Sequence, residues 1–316
     1  MKGALCISLD FEKFWGIHDV ANLKDYEQDL IKINKIVSRL LTLFTKHDIH
    51  CTWAVVGLLN FNNLKELEAY CKTITINYTH SAYSPFPLNS HNLKKVNQNS
   101  FLAKQEIEKI KNTSNQEIAS HTFSHLYSLE KGLTKKDFQN DINNFQSVIG
   151  EVNTIVFPRN QINQNYLNLL SKNKTISYRG NQENKFWKNS EFKTESVFKK
   201  IGRVVDAYIK ISQDNLISWE SLKQNNSINI PASRFLRPVQ FNNTIENIKI
   251  KRIKKQMMSA AKKNKIYHLW WHPHNFSKNT EENFIQLENL LNYYTKLKQE
   301  YQFQSLNMDE ISRTID

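Results

Sequence analysis

Along this chain, short apolar runs alternate with stretches in which apolar residues recur every three or four positions. Residues 4–9 (ALCISL) read as a first strand that ends at Asp10. Leu30, Ile33, Val37, Leu40, Leu41 and Phe44 then repeat at helical spacing. A second strand is predicted over 51–56 (CTWAVV), closed by Gly57, and a third over 116–120 (QEIAS), ending at His121. Phe138, Ile142 and Phe145 give residues 135–149 one apolar helical face. Further strands are predicted over 153–157, stopped by Pro158, and over 175–178. A basic amphipathic helix covers 244–264, a late strand 265–271, a long helix 280–299 and a last short strand 302–306. Strands alternating with helices imply an α/β fold with parallel strands. Residues 181–226 show no readable period, and 181–245 is taken as a loop-rich insertion in a single domain spanning 1–316.

Composition narrows the picture. The 316 residues are 40% hydrophobic, enough for a full core, and seven Gly with six Pro exclude collagen-like or Gly/Pro-rich low-complexity material. No apolar run approaches the roughly 18 residues of a membrane span. The start lacks a secretory pattern, since Asp10 and Glu12 fall where a cleavage site would be, so a cytoplasmic location is expected. Cys6, Cys51 and Cys71 are scattered, without disulfide or metal-pair spacing. The net charge of +13 favours anionic partners, but the richness in Lys, Asn and Ile is also the bias of an AT-rich genome.

Polar residues able to do chemistry gather where the predicted strands stop: Asp10 and Glu12, His121 and His125, Arg159, and His272. The carboxyl ends of parallel strands share one rim, so these groups would converge. His121 and His125, four apart, could hold one ion from a helical face, or be ordinary surface histidines. Thr122 excludes the zinc-protease form, which needs Glu after the first His. Asp10 and Glu12 leave one side of an extended chain, so one could bind a metal and the other act as base; acidic residues at a helix start are the even alternative. In His268-Leu269-Trp270-Trp271-His272-Pro273-His274, residues 268, 270 and 272 face one way along a strand, which suits a general acid beside aromatic walls. Arg159 could hold a carboxylate by a bidentate pair or lie at the surface. The stretch from Pro231 to Pro238, with Arg234 and Arg237, is open between an anion contact and a plain loop. No GxSxG elbow, P-loop or glycine-rich dinucleotide loop is present.

Taken in order, Ser8-Leu9-Asp10-Phe11-Glu12, His121-Thr122-Phe123-Ser124-His125, Pro158-Arg159 and the Leu269 to His272 strand end resemble the polysaccharide deacetylase family (NodB homology, carbohydrate esterase family four). Pro158-Arg159-Asn160-Gln161 together with His272-Pro273-His274-Asn275-Phe276 resembles a bacterial subgroup of it tied to surface polysaccharide synthesis. The resemblance implies a distorted, incomplete (β/α) barrel of about seven parallel strands. It also implies metal-dependent removal of an N-acetyl group from a glycan, lipid-linked glycan or nucleotide sugar. Asp10 would be the base, His272 the general acid and Arg159 the group that orients Asp10. Glu12, His121 and His125 would hold a divalent ion, zinc first, with Glu12 replacing the family's second aspartate, whose place Phe11 occupies. Trp270, Trp271 and Phe276 would stack on the sugar, which could carry a phosphate or diphosphate. The missing aspartate motivates a rival reading as a non-catalytic carbohydrate-binding relative. A nucleic-acid role for the basic helix ranks last, because its Ile250, Ile253, Met257 and Ala261 form an ordinary packing stripe.

Overall fold

The eight residues of β1 (Ala4–Phe11) are all buried, and they alternate between two different environments. Leu5, Ile7, Leu9 and Phe11 enter the large apolar cluster shared with the surrounding helices. Ala4 and Cys6 enter a smaller, separate apolar cluster, and Ser8, Asp10 and Glu12 continue that row. The inward row therefore grows more polar from Ala4 to Glu12, toward the carboxyl end of the strand. That gradient separates a structural lower lumen from a chemical upper rim.

The computed structural model describes residues 1–88, 97–172, 177–182, 187, 197–222 and 227–315. After β1 come β2 (Cys51–Val55), β3 (Gln116–Ser120), β4 (Thr154–Ile155), β5 (Ser177–Tyr178), β6 (Ile228–Asn229), β7 (Arg234–Phe235), β8 (Ile266–Trp271) and β9 (Gln304–Ser305). The helices are α1 (Leu23–His47), α2 (Leu64–Cys71), α3 (Lys104–Lys111), α4 (Lys135–Ile149), α5 (Gln164–Lys172), α6 (Val197–Tyr208), α7 (Asn243–Lys262), α8 (Thr280–Tyr301) and α9 (Met308–Ile315). The described strands form one sheet in the order β6-β5-β4-β3-β2-β1-β8-β7, with β9 pairing to β1, and every ladder is parallel. This is the expected distorted, incomplete (β/α) barrel, with nine strands instead of about seven. The two that went unpredicted, β6 and β7, have two residues each and lie in the stretch 181–245, where no period is readable.

The curl is forced by connectivity. β6 and β7 lie at opposite edges of the sheet, yet five residue steps join Asn229 to Arg234. Those steps span at most about 17 Å, whereas eight strands laid flat would put the edges about 34 Å apart. The connecting residues stitch both edges: Ala232 N–H donates to the Gly180 carbonyl (2.8 Å) beyond β5, and Ser233 N–H donates to the His268 carbonyl (2.8 Å) in β8.

Of the stretch 181–245, the described residues hold α6, β6 and β7; 183–186, 188–196 and 223–226 lie outside the described residues, as do 175–176 of the predicted fifth strand. In α7 the expected stripe is buried against the barrel, and Lys249 is buried with it, paired with Glu246. Among the described residues no helix is long and apolar enough to cross a membrane.

Candidate active site

Asp10 and Glu12 stand at the end of β1, both buried. Asp10 is gripped by Arg179, which follows β5 across the lumen: Nη1 donates to Oδ1 (2.6 Å) and Nη2 to Oδ2 (2.7 Å). The same guanidinium donates to Ser8 Oγ (3.1 Å) and Asn160 Oδ1 (3.0 Å), and lies 4.1 Å from the centre of the Trp270 ring. Burial pushes the Asp10 carboxyl up, but the Arg179 charge, helped by His121 and His272, outweighs it and holds Asp10 below the ordinary carboxylate range. Behind this pair a further chain of bonds runs to His268. Ser8 Oγ already accepts from Arg179, so its proton goes to His268 Nε2 (2.8 Å), and His268 Nδ1–H donates to the Pro231 carbonyl (3.2 Å). Burial drives His268 down to about 3, so this ring is neutral and structural.

Glu12, His121 and His125 bring one ligand atom each to within 4.8 Å of one another, and all three residues are buried. His121 Nε2 is 3.3 Å and His125 Nε2 2.9 Å from Glu12 Oε2. A carbonyl can only accept, so the 2.8 Å contact from His121 Nδ1 to the Val156 carbonyl fixes the proton on Nδ1. Nε2 is then a bare lone pair facing a carboxylate oxygen whenever the ring is neutral, an arrangement that a cation between them would relieve. Burial lowers His125 to about 4, so its ring is neutral. Burial pushes Glu12 up, yet His272, His125 and the hydrogen bonds hold it well below the usual range. Two imidazole nitrogens and a carboxylate held in its charged form fit a divalent ion of borderline softness.

The two histidines do not lie on a helix. They sit in a loop after β3 in which Thr122 (φ 63°) and His125 (φ 58°) take left-handed backbone angles. That conformation is costly for a β-branched residue. It is held by Thr122 N–H on Ser120 Oγ (3.0 Å), Leu126 N–H on Thr122 Oγ1 (2.7 Å) and, above all, buried Asp141 of α4. Asp141 accepts from Phe123 N–H (2.6 Å), from Ser124 N–H (3.1 Å) and from the Ser124 hydroxyl.

His272 follows β8, with Nε2 3.5 Å from Glu12 Oε1 and 3.7 Å from Asp10 Oδ2. Its ring stacks on His274 (4.8 Å between centres) and lies 5.6 Å from Trp270. A cavity of about 240 Å³ opens here, its lining including Asp10, Glu12, His125, Arg159, Trp270 and His272.

Three expectations need correction. Arg159 lines the cavity but does not touch Asp10; its Nη2 donates to both oxygens of Asp19 (2.7 and 2.8 Å) and its guanidinium lies 4.0 Å from the centre of the Tyr127 ring. The guanidinium on Asp10 is Arg179. Trp271 and Phe276 cannot stack on a sugar: they are 0% and 1% exposed and lie against each other in the helix-side core. Strand alternation is the reason, since Trp270 faces the lumen and its neighbour must face away. Sequence reasoning also missed Asp141, Asp19 and Gly16. At Gly16 an added Cβ would come within 2.2 Å of the Glu12 carboxyl, so glycine leaves that carboxylate its room. Arg179 follows a short strand as the other candidates do, and that rule applied to residues 175–178 would have found it.

No protein-family model and no curated protein matches the chain. Solved structures do. A protein assigned as a polysaccharide deacetylase from Mycobacterium smegmatis aligns with a TM-score of 0.58 at 11% identity, over 99% of this chain and 90% of its own. Another so assigned, from Pseudomonas aeruginosa, gives 0.55 at 12% identity over 98% and 89%. An α-amylase from Thermotoga maritima gives 0.52 at 12% identity over 100% and 75%, so this fold also carries a different chemistry. The curled parallel sheet and its near-complete alignment with these proteins give the chain the NodB-like fold of the polysaccharide deacetylases.

Proposed function

We propose that this chain is a metal-dependent hydrolase that removes the acetyl group from an N-acetylated sugar. The observation that carries the reading is the meeting of Glu12, His121 and His125 with an Arg179-held Asp10 and with His272 around one cavity. Glu12, His121 and His125 would hold the divalent ion, zinc by preference, which when bound polarises the acetamide carbonyl and acidifies water. Asp10, ionised and fixed by two charge-assisted bonds, takes the proton of the attacking water as general base. His272, beside both carboxylates and partly open to the cavity, delivers a proton to the departing amine nitrogen. Trp270 offers a wall against the apolar face of the sugar ring, and its place under Arg179 keeps that wall fixed. Arg179 acts through Asp10, orienting it and favouring its charged form.

The test is acetate release from a panel of N-acetylated monosaccharides, oligosaccharides and nucleotide sugars, with chelator and after zinc is restored. Chelator-sensitive, zinc-restored release is expected. Saturable sugar binding without acetate release in any arm would replace the hydrolase by a carbohydrate-binding protein.

A further inference from the structure

Helix α6 is packed with its polar side inward. At about 3.6 residues per turn, Val197, Ile201, Val204, Val205 and Tyr208 share one face, and Gly202, Asp206 and Ala207 lie opposite. The buried residues are Gly202, Asp206 and Ala207. Asp206 is the anchor: it pairs with Arg234 (3.6 Å) and Arg252 (3.2 Å) and accepts from Ser212 N–H (2.7 Å). The apolar face is left outward, with Val197 67% and Ile201 53% exposed. An amphipathic helix on a protein surface ordinarily turns the other way.

The apolar surface continues beyond α6. Ile209 and Ile211 follow it, and Tyr208 meets Phe241 edge-on at 5.3 Å. Arg252 Nη1 donates to the Ile209 carbonyl (2.8 Å), and Ile248 stands one turn before Arg252 on α7. Ile209, Ile211, Phe241 and Ile248 are exposed as well. Twelve large apolar side chains are exposed among the described residues, and these four with Val197 and Ile201 are half of them. Single exposed apolar residues are ordinary, whereas a gathering of them on adjoining helices marks a contact surface.

Charge points to the partner. Residues 197–255 hold twelve Lys and Arg against four Asp and Glu, so eight of the thirteen net positive charges fall in this stretch. Two of the acids are turned inward: Asp206 is buried with Arg234 and Arg252, and Glu246 with Lys249. Lys251 and Lys255 are exposed, on the same outer stripe of α7 as Ile248. Aliphatic side chains set among lysines match the boundary between acyl chains and anionic headgroups. Single-stranded nucleic acid would call for stacking platforms, but five of the six exposed apolar residues are Ile or Val.

We propose that the outer faces of α6 and α7 dock this protein on an anionic phospholipid bilayer, lying at headgroup level. Arg203 of the same helix lines the active-site cavity, so docking would hold that cavity beside the membrane surface. Docking does not depend on the hydrolase reading and is measured without turnover.

The experiment is co-sedimentation of the full chain with vesicles of phosphatidylcholine, alone or mixed with phosphatidylglycerol, at two ionic strengths. Binding to the mixed vesicles is expected, at least about tenfold tighter than to the neutral ones. Added salt should weaken it in part, leaving the apolar contribution. Lys251→Ala and Lys255→Ala should each lower partitioning about fivefold, and Ile201→Ser about tenfold. Should Ile201→Ser disturb α6 by circular dichroism, Ile209→Ser, beyond the end of the helix, decides in its place. Equal partitioning onto neutral and anionic vesicles, or none onto either, overturns the proposal. Vesicle binding that both serine variants leave unchanged is adsorption by charge alone and also overturns it. So does salt-sensitive retention on a uridine homopolymer without vesicle binding, which would make the face a nucleic-acid surface.

Discussion

Replacing Arg179 by Met removes the charge while keeping much of the side chain's length. The structure sets the size of the effect. The guanidinium makes two bonds to Asp10 and one each to Ser8 and Asn160, and Asp10 is 3% exposed. Summing four such bonds would overshoot, because the pair also repays its own desolvation. Breaking a buried pair from one side costs about 3–5 kcal/mol, chiefly through the charge left behind. The corresponding prediction is a loss of that size in unfolding free energy, with kcat lowered by up to about 10²–10⁴-fold as Asp10 loses the group that orients it and keeps it charged. Asp10→Asn alone leaves Arg179 unpaired and destabilises too. The double variant leaves neither charge, so it should be more stable than Arg179→Met, with a coupling of about 2–3 kcal/mol in a double-mutant cycle. Urea denaturation gives the stabilities and acetate release gives the rates. Arg159→Met is the control and should not couple to Asp10→Asn. Additive losses for Arg179 and Asp10, or coupling through Arg159 instead, would refute the reasoning.

Other outcomes follow from the same geometry. Zinc at a hundredfold excess over its Kd should raise the parent's stability by about 2.7 kcal/mol; Glu12→Gln should lose most of this gain, and Gly16→Ala part of it, by crowding the carboxylate, with thermal melts with and without zinc as the check. Asp141→Asn leaves the loop from Phe123 to Ser124 one acceptor oxygen short, so zinc titration should show affinity down about 10–100-fold in a folded protein. Burial pushes Glu117 from about 4.5 to about 7, so the fold favours its protonated form. That contribution, about 3 kcal/mol, is complete below pH 4.5 and is lost as pH rises through 7. Urea midpoints at pH 5 and pH 8 should therefore fall for the parent and change far less for Glu117→Gln.

The sequence carried the rim rule well, because a polar residue after an apolar run is a local signal. Asp10, Glu12, His125, Arg159 and His272 all line one cavity, and His121 meets Glu12 and His125 just behind it. It carried partners poorly. Arg159 and Arg179 both end strands, and only the curl of the sheet decides that the second reaches Asp10. Asp141 was hidden on a helix, where an inward-facing acid differs from a solvated one only once the loop above it is known. Trp271 and Phe276 were nominated by type, although strand alternation already argued against Trp271 sharing a face with Trp270. The two-residue strands β6 and β7 left too few residues for a period to register.

The tie from Ile230 to Ser233 has a consequence for tolerance to change. It is bonded to the carbonyl of Gly180 on one side and that of His268 on the other, beside the two strands that supply Arg179 and Trp270. The spacing of those two walls is thus set by the length of a single covalent span. Most surface loops absorb an extra residue at little cost. Here an insertion would relax the span, part the guanidinium from the indole and slacken the grip on Asp10 without touching a residue of the cavity.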